Sequence, residues 1–387
     1  VSAPAEAVLA GGSVGPTQPL GPFPRDFHLG FFTHVHGGQD ATALYRGVVE
    51  LFVAAEELGY DSGWVAQHHF HAEHGRLPSP LVLLAAAAER TRRIELGTAI
   101  VTLPLEDPLR LAEDVAVLDA LCGGRLQLGL GSGAPIAAEF GAFGQDINHR
   151  RVLFDEKVRV LEDALAGKPL GRPPDRGRGE VGDSHASVLQ PVSGGLPGRL
   201  WSSTTRTDEV GRAARAGHGL LLGVGPAGTV QQPLAAAHAQ VWAEQWPGRP
   251  APIAAVRGVF PGPDRDRVAG ELAADVALYL PHHVAAGWAP HAHITTAQLL
   301  ELMNVQYGRP DQIVASLAAD PVFAPYGTHL VAAIQAESSS LDQARYHLEV
   351  LAREIAPALG WRPGTGARGP AAQHLGDNEG RSLDAGN

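Results

Sequence analysis

The chain has 387 residues with 30 Lys plus Arg against 41 Asp plus Glu, a net charge of −11, and 44% hydrophobic residues. That length and apolar content suffice for a large core, and the acidity argues against a nucleic-acid backbone as the main partner. Cys122 is the single cysteine, which excludes intrachain disulfides, cysteine zinc fingers and protein-ligated iron–sulfur clusters. No apolar run approaches the roughly 18 residues of a membrane span, and the N-terminus has no secretory-signal pattern, so the reading is a soluble, cytoplasmic protein.

Residues 1–26 and 362–387 are Gly-rich or Ala/Pro-rich without period and read as flexible tails around one domain, 27–361. The domain opens on a strand, Phe27 to Phe32. Leu44, Val48, Leu51, Ala55 and Leu58 then recur at helical spacing until Gly59. Strands follow at Ser62 to Ala66, Ile94 to Leu103 and Arg125 to Leu130, with helices at about Ser79 to Arg90 and through Leu111, Val115, Leu118 and Leu121. A helix carries Phe154, Val158, Leu161 and Leu165, and Gly167 to Gly198 reads as an inserted loop. Beyond it come the strand Arg199 to Ser203, the helix Asp208 to Ala216, strands at Leu220 to Val224, Ile253 to Phe260 and His329 to Ile334, and a closing helix through Leu341, Leu348, Leu351 and Ile355.

Eight strands, most followed by a helix, predict parallel right-handed βαβ units, and at this length a (β/α)₈ TIM barrel with inserted loops. In such a barrel the chemistry sits on the loops after the strands, where the unusual residues of this chain lie.

Thr33-His34-Val35-His36-Gly37 ends the first strand. A His-x-His there suits a metal hydrolase barrel, but later strands bring no further ligand set, and a polar wall residue at the barrel mouth is the plainer reading. After the second strand, Gln67-His68-His69-Phe70 offers an imidazole base with an orienting partner, against the alternative of two loop-capping histidines. Gly129-Leu130-Gly131-Ser132-Gly133-Ala134 matches a dinucleotide fingerprint literally. Pro135, Gly141 and Gly144 interrupt the helix that fingerprint needs, so a nicotinamide Rossmann site gives way to a Gly-rich loop open to a ligand. Ser203-Thr204-Thr205-Arg206-Thr207-Asp208 before a helix offers hydroxyls, a cation and free amides for a phosphate, with Thr207 or Asp208 as a simple N-cap the bland alternative. His282-His283 and His291-x-His293 beside Trp288 read as a solvated insert or part of a lid.

Taken together, Glu57-Leu58-Gly59-Tyr60-Asp61-Ser62-Gly63-Trp64, Gln67-His68-His69-Phe70, Leu96-Gly97-Thr98-Ala99-Ile100-Val101-Thr102-Leu103-Pro104, Asp107 to Asp114 and Gly124 to Gly131 resemble the bacterial-luciferase-like flavin-dependent monooxygenases. The resemblance is strong from Leu29 to about Gly167 and weaker from Leu200 to Gly219. It implies a luciferase-like barrel, usually a homodimer, that oxygenates a small organic substrate with O2 and reduced FMN through a C4a-peroxyflavin. The reduced FMN would come from a separate NAD(P)H-dependent flavin reductase.

By position the resemblance makes His68 the active-site histidine, with His69 as its structural partner. It counts His34 and Thr98 among the cofactor-binding residues, puts a non-proline cis peptide at Ala99-Ile100 under the flavin ring, and sets the phosphate at Gly131, Ser132 and Gly133 with Thr204, Thr205, Arg206 and Thr207. Light-emitting members carry a Cys and a phosphate-binding Arg where this chain has Gly131 and Ser132, which argues against light emission and makes Arg206 the candidate for the missing charge. An F420-dependent oxidoreductase of the same fold, a metal-dependent hydrolase and a non-catalytic flavin-binding protein are the alternatives.

Overall fold

In chain order the strands are β1 (His28–Thr33), β2 (Ser62–Val65), β3 (Glu95–Thr98), β4 (Val101–Thr102), β5 (Leu126–Gly131), β6 (Leu200–Ser203), β7 (Gly219–Leu222), β8 (Ile253–Pro261), β9 (Gln306–Gly308) and β10 (His329–Ala333). The computed structural model describes residues 26–364 except 39, 71, 171–186, 193, 286, 288 and 290–293. All pairings among these strands are parallel, and the sheet closes because β10 pairs with both β1 and β8. The result is the eight-stranded barrel that the alternation of elements predicts, and each predicted strand has its counterpart. One differs in detail: the run Ile94 to Leu103 is two short strands, β3 and β4, separated by a cis peptide at Ala99–Ile100.

The helices are α1 (Ala41–Leu58), α2 (Pro80–Arg90), α3 (Pro108–Leu121), α4 (Ala137–Ala142), α5 (Arg150–Leu165), α6 (Thr207–Ala216), α7 (Gly228–Gln245), α8 (Arg265–Ala285), α9 (Thr296–Leu302), α10 (Pro310–Ala318), α11 (Phe323–Tyr326) and α12 (Leu341–Val350). Their apolar stripes bury against the outer face of the barrel. Leu44, Val48, Leu51 and Ala55 of α1, Val115 and Leu118 of α3 and Val158 and Leu161 of α5 belong to one large cluster with the outward strand residues Leu29, Phe31, Leu96 and Leu128. The inward residues form a second cluster, Phe32, Trp64, Trp201, Leu221, Val256 and Val331 among them, that fills the barrel lumen. Period-two alternation along each strand separates the two cores. Trp64 and Trp201 meet edge to face at 5.6 Å. Gly97 and Gly219 make room for them, since a Cβ at either would lie within about 2.3 Å of an indole ring.

The segment from Arg265 to Ala318 follows no pattern identified in the sequence. Here β8 runs past the barrel, its last residues Val259–Pro261 pair with β9, and α8 and α9 pack on this extension through Phe260, Val268, Leu272, Val276, Leu299, Leu300 and Met303. The extension carries the insert on the side where the strands end. The outer parts of both predicted tails, the centre of the Gly167–Gly198 loop, and Trp288, His291 and His293 lie outside the described residues.

Candidate active site

Because the barrel is parallel, the ends of β1, β2, β4, β5 and β6 share one rim and follow one another around it. The strand bodies are buried. Partial exposure returns at the rim, at His34, His68, Ala99, Ile100, Ser132, Gly133 and Thr204.

At the first two positions, Nδ1 of His34 lies 2.9 Å from Nε2 of His68. The loops that carry them are sewn together: the Arg76 amide donates to the Val35 carbonyl at 3.2 Å, and the His68 amide to the Leu77 carbonyl at 3.0 Å. On the β1 side, the Thr33 hydroxyl accepts from the Val35 amide at 2.9 Å and donates to Gln335 Oε1 at 2.6 Å, while Gln335 Nε2 donates to the His36 carbonyl at 2.8 Å. Gln335 follows β10, so three consecutive barrel strands fix the pair.

Burial is the main reason these imidazoles resist protonation. It lowers His34 well below the ordinary value, helped by His68, His36 and His74, and takes His68 to about 3, helped by His36, His74 and His69. His36 falls to about 4 through burial, with Asp275 pulling the other way. At neutral pH the cluster is therefore a set of neutral rings that donate and accept hydrogen bonds.

His69, expected as the partner of His68, turns elsewhere. Successive residues of an extended segment project to opposite sides. The His69 ring packs edge-on against Phe143 at 4.8 Å and beside Phe70 at 5.9 Å, and its Nε2 is buried with no hydrogen-bond partner among the described residues. The Gln67 side chain ties two loops: Nε2 donates to Glu106 Oε1 at 2.7 Å and to the Pro78 carbonyl at 3.2 Å, and Oε1 accepts from the Thr102 amide at 2.7 Å.

Next along the rim is the cis Ala99–Ile100 peptide, where the motif resemblance sets it. Thr98 before it has its hydroxyl fully engaged, donating to the Gly129 carbonyl and accepting from the Gly129 amide, both at 2.9 Å and both buried. Its side chain thus ties β3 to β5 directly beneath the cis peptide. Gly131 pairs with Ser203 across β5 and β6, and a Cβ on Gly131 would lie 3.0 Å from Ile100 Cδ1 and 3.3 Å from the Ser203 carbonyl. Gly133 has φ +77°, and a Cβ there would lie 2.5 Å from Thr102 Cγ2. A side chain at Gly131 would fill the cradle between the cis peptide and the end of β6.

After β6, α6 begins at Thr207 with Arg206, rather than Thr207 or Asp208, at the N-cap position, and the cap residue's side chain makes no capping bond. The Arg206 amide donates to Thr204 Oγ1 at 3.0 Å. Its guanidinium is paired with Asp208 and, at 3.3 Å, with Asp155, so the candidate cation already answers two carboxylates. Those partners hold its proton more firmly than an ordinary arginine's, the Asp208 hydrogen bond contributing most. The helix start combines Thr204, Thr205 and Thr207 hydroxyls with first-turn amides, the chemistry of an anion site.

His283, in the predicted insert, joins α8 to the loop after β7: its ring nitrogens lie 2.8 Å from the Tyr279 carbonyl of its own helix and 3.2 Å from the Gly225 carbonyl. No group of three metal-binding side chains stands close enough to hold an ion among the described residues. Sequence reasoning missed Gln335, Glu106 and Asp275. The pattern holds no signal for them, because their partners lie up to 302 positions away.

The luciferase-like monooxygenase family model matches residues 26–322. A stretch of 165 residues is 36% identical to the 4-hydroxyprotoasukamycin monooxygenase of Streptomyces nodosus subsp. asukaensis, covering 42% of this chain and 43% of that protein. The chain spans about half the length of the curated relatives it matches. Among solved structures, the oxygenating constituent of 3,6-diketocamphane monooxygenase from Pseudomonas putida, in complex with FMN, superposes with a TM-score of 0.67 at 19% identity, over 86% of this chain and 98% of that one. The coenzyme F420-dependent tetrahydromethanopterin reductase of Methanopyrus kandleri does so with a TM-score of 0.62 at 17% identity, over 87% and 100%. At those identities the two structures speak for the fold alone, whereas the family model covers most of the chain: this protein belongs to the luciferase-like monooxygenase family.

Proposed function

We propose that the protein is a monooxygenase that uses reduced FMN and O2 to oxygenate a small organic substrate, with the reduced flavin supplied by a separate NAD(P)H-dependent flavin reductase. The observation that carries this reading is the convergence of the cis Ala99–Ile100 peptide with Gly131 and Ser203, so close that a side chain on Gly131 would touch both Ile100 and the Ser203 carbonyl, one strand along the rim from the His34–His68 pair. That cradle fits a flat, phosphorylated ring system: glycines let the backbone approach, and the start of α6 offers amides and hydroxyls to a phosphate.

Bound there, reduced FMN would supply the two electrons that activate O2. The protein's own residues orient, shield and manage protons. Thr204, Thr205 and Thr207 hold the phosphate, and Arg206 joins them by exchanging the exposed Asp208 for it. His68 holds or delivers a proton at the reacting atoms. Phe70 and Phe143, whose rings lie 5.7 Å apart, form an apolar lip that limits water at the mouth. Exposed Val82, Leu109, Val117, Leu121, Val152 and Val160 lie on the neighbouring helices α2, α3 and α5 and support a homodimer as the working unit.

Titration of the purified protein with oxidised FMN, reduced FMN and F420 tests the reading. Binding of reduced FMN, with oxygen consumed on mixing, is the expected result. Tight F420 binding with no affinity for FMN would replace it with deazaflavin hydride transfer.

A further inference from the structure

Two separate features converge on the contact between His34 and His68. Val35 takes φ +60°, a conformation that β-branched residues avoid, although it is completely buried. The turn at Val35 lies directly between His34 and His36, and the hydrogen bond from its amide to Thr33 holds it. Opposite, Gly75 has φ +135°, and a Cβ there would lie 2.3 Å from the His34 carbonyl oxygen and 2.7 Å from His68 Cδ2. Backbone strain on one loop and the lack of a side chain on the other meet at a single hydrogen bond of 2.9 Å. Strain of this kind persists where the surroundings over-determine it, and it clusters at working sites.

Two neutral imidazoles joined through Nδ1 and Nε2 share one proton, so their tautomers are coupled. When His34 donates, His68 carries its own proton on Nδ1. When His68 donates, its Nδ1 is bare and His34 carries a proton on Nε2. Among the described residues neither ring has a second hydrogen-bond partner, and both residues are partly exposed at the rim, which puts the two outer nitrogens within reach of water or substrate.

We propose that His34 is the positioning residue of His68 and that the two rings hand over a proton as one unit. A proton leaving Nδ1 of His68 is replaced, across the shared bond, by the Nδ1 proton of His34, which takes up a proton from water at Nε2. One proton enters, one leaves, both rings stay neutral, and the reverse transfer restores the starting tautomers. This assigns His34 a role different from a flavin contact, and it rests on the reading of His68 as the proton-handling group.

Long-range ¹H–¹⁵N spectra of the cofactor-free full chain, with the His68 signals identified through His68→Gln, test the pairing without any flavin. His34→Phe is expected to shift the His68 ring nitrogens toward the Nε2–H tautomer that free imidazole prefers. His34→Gln, whose amide pairs with either tautomer and so imposes neither, is expected to move the His68 shifts in the same direction as His34→Phe and serves as the second variant should the phenylalanine disturb the fold. Unchanged His68 signals in His34→Phe would overturn the pairing, whether or not the protein binds FMN.

Stopped-flow reoxidation of protein-bound reduced FMN tests the hand-over. Because glutamine positions His68 but relays no proton, His34→Gln should slow reoxidation about tenfold or more with FMN affinity within twofold of wild type. Wild-type reoxidation in His34→Gln would overturn the relay. Failure of the whole protein to bind reduced FMN would overturn the functional reading and, with it, the relay, leaving the pairing to the spectra.

Discussion

His68 stands in a motif that the sequence displays openly, yet the group bonded to it lies 34 positions earlier and becomes its neighbour only because Val35 turns and Gly75 leaves space. Motif spacing reports residues that share a loop; it carries nothing about a contact made across two loops. The adjacent His69 looked the better partner for that reason. Gly75→Ala tests the packing: at φ +135°, with the His34 carbonyl in the way, the added methyl should cost about 1–3 kcal/mol, read as a lower urea midpoint at unchanged slope. An unchanged midpoint would mean that the loops separate freely.

The same histidines set the acid response. Burial holds His34, His36 and His68 below their unfolded value of about 6.5, so below that pH the unfolded chain binds more protons than the native one. Stability is accordingly full above about pH 6.5 and declines as the pH falls toward the native values of about 4 for His36 and about 3 for His68. Denaturation midpoints measured from pH 7.5 to 4.5 should fall throughout the acid half of that range, and less steeply in His36→Asn. Equal slopes in the two proteins would remove His36 from the account.

At the level of elements, the barrel strands and the helices with a sharp apolar stripe were legible because their period is local. The helices α7 to α10 were not. In α7 half of the residues are Ala or Gln, with Pro233 inside, so its two faces differ little in the sequence, although Leu234, Ala235, His238 and Trp242 are buried. The β3–β4 break was legible only through the resemblance, since nothing in the composition of Thr98-Ala99-Ile100-Val101 marks a cis bond.

Helix starts are a firmer matter. Asp107 accepts from the Leu109 and Arg110 amides at 2.9 and 3.0 Å, with Pro108 in the first turn behind it. Asp107→Ala should therefore cost about 1 kcal/mol of global stability, checked by urea denaturation against Asp107→Asn, which keeps the acceptor and should lose only a few tenths. Equal losses in both variants would shift the explanation from the cap to the negative charge, which lies near Lys157.

For the whole molecule the decisive feature is that a closed cylinder is joined, on its functional side, to a helical insert with an apolar cluster of its own. α8 is anchored through Asp275, which accepts from the Ser338 hydroxyl at 2.6 Å and from the Ser338 amide at 3.2 Å, and through His283 on the Gly225 carbonyl. Arg265 at its first turn lies 4.9 Å over the Tyr307 ring of β9. Ser338 belongs to the loop after β10, as does Gln335, which holds Thr33 and His36, so the insert and the histidine cluster hang from one loop. Ser338→Ala removes a charge-assisted bond to a buried carboxylate and should cost about 1–2 kcal/mol, concentrated in the insert and not in the barrel. Amide hydrogen exchange should accelerate roughly tenfold in α8 and α9, the equivalent of that energy at 1.4 kcal/mol per decade, while β1, β2 and β5 keep their protection. Because a loosened insert admits water to the rim, reduced FMN mixed with the variant and O2 should release hydrogen peroxide faster than with wild type. Exchange that accelerates equally in barrel and insert would mean that Asp275 and Ser338 stabilise the fold as a whole, and a peroxide rate equal to wild type would mean that the insert does not guard the mouth.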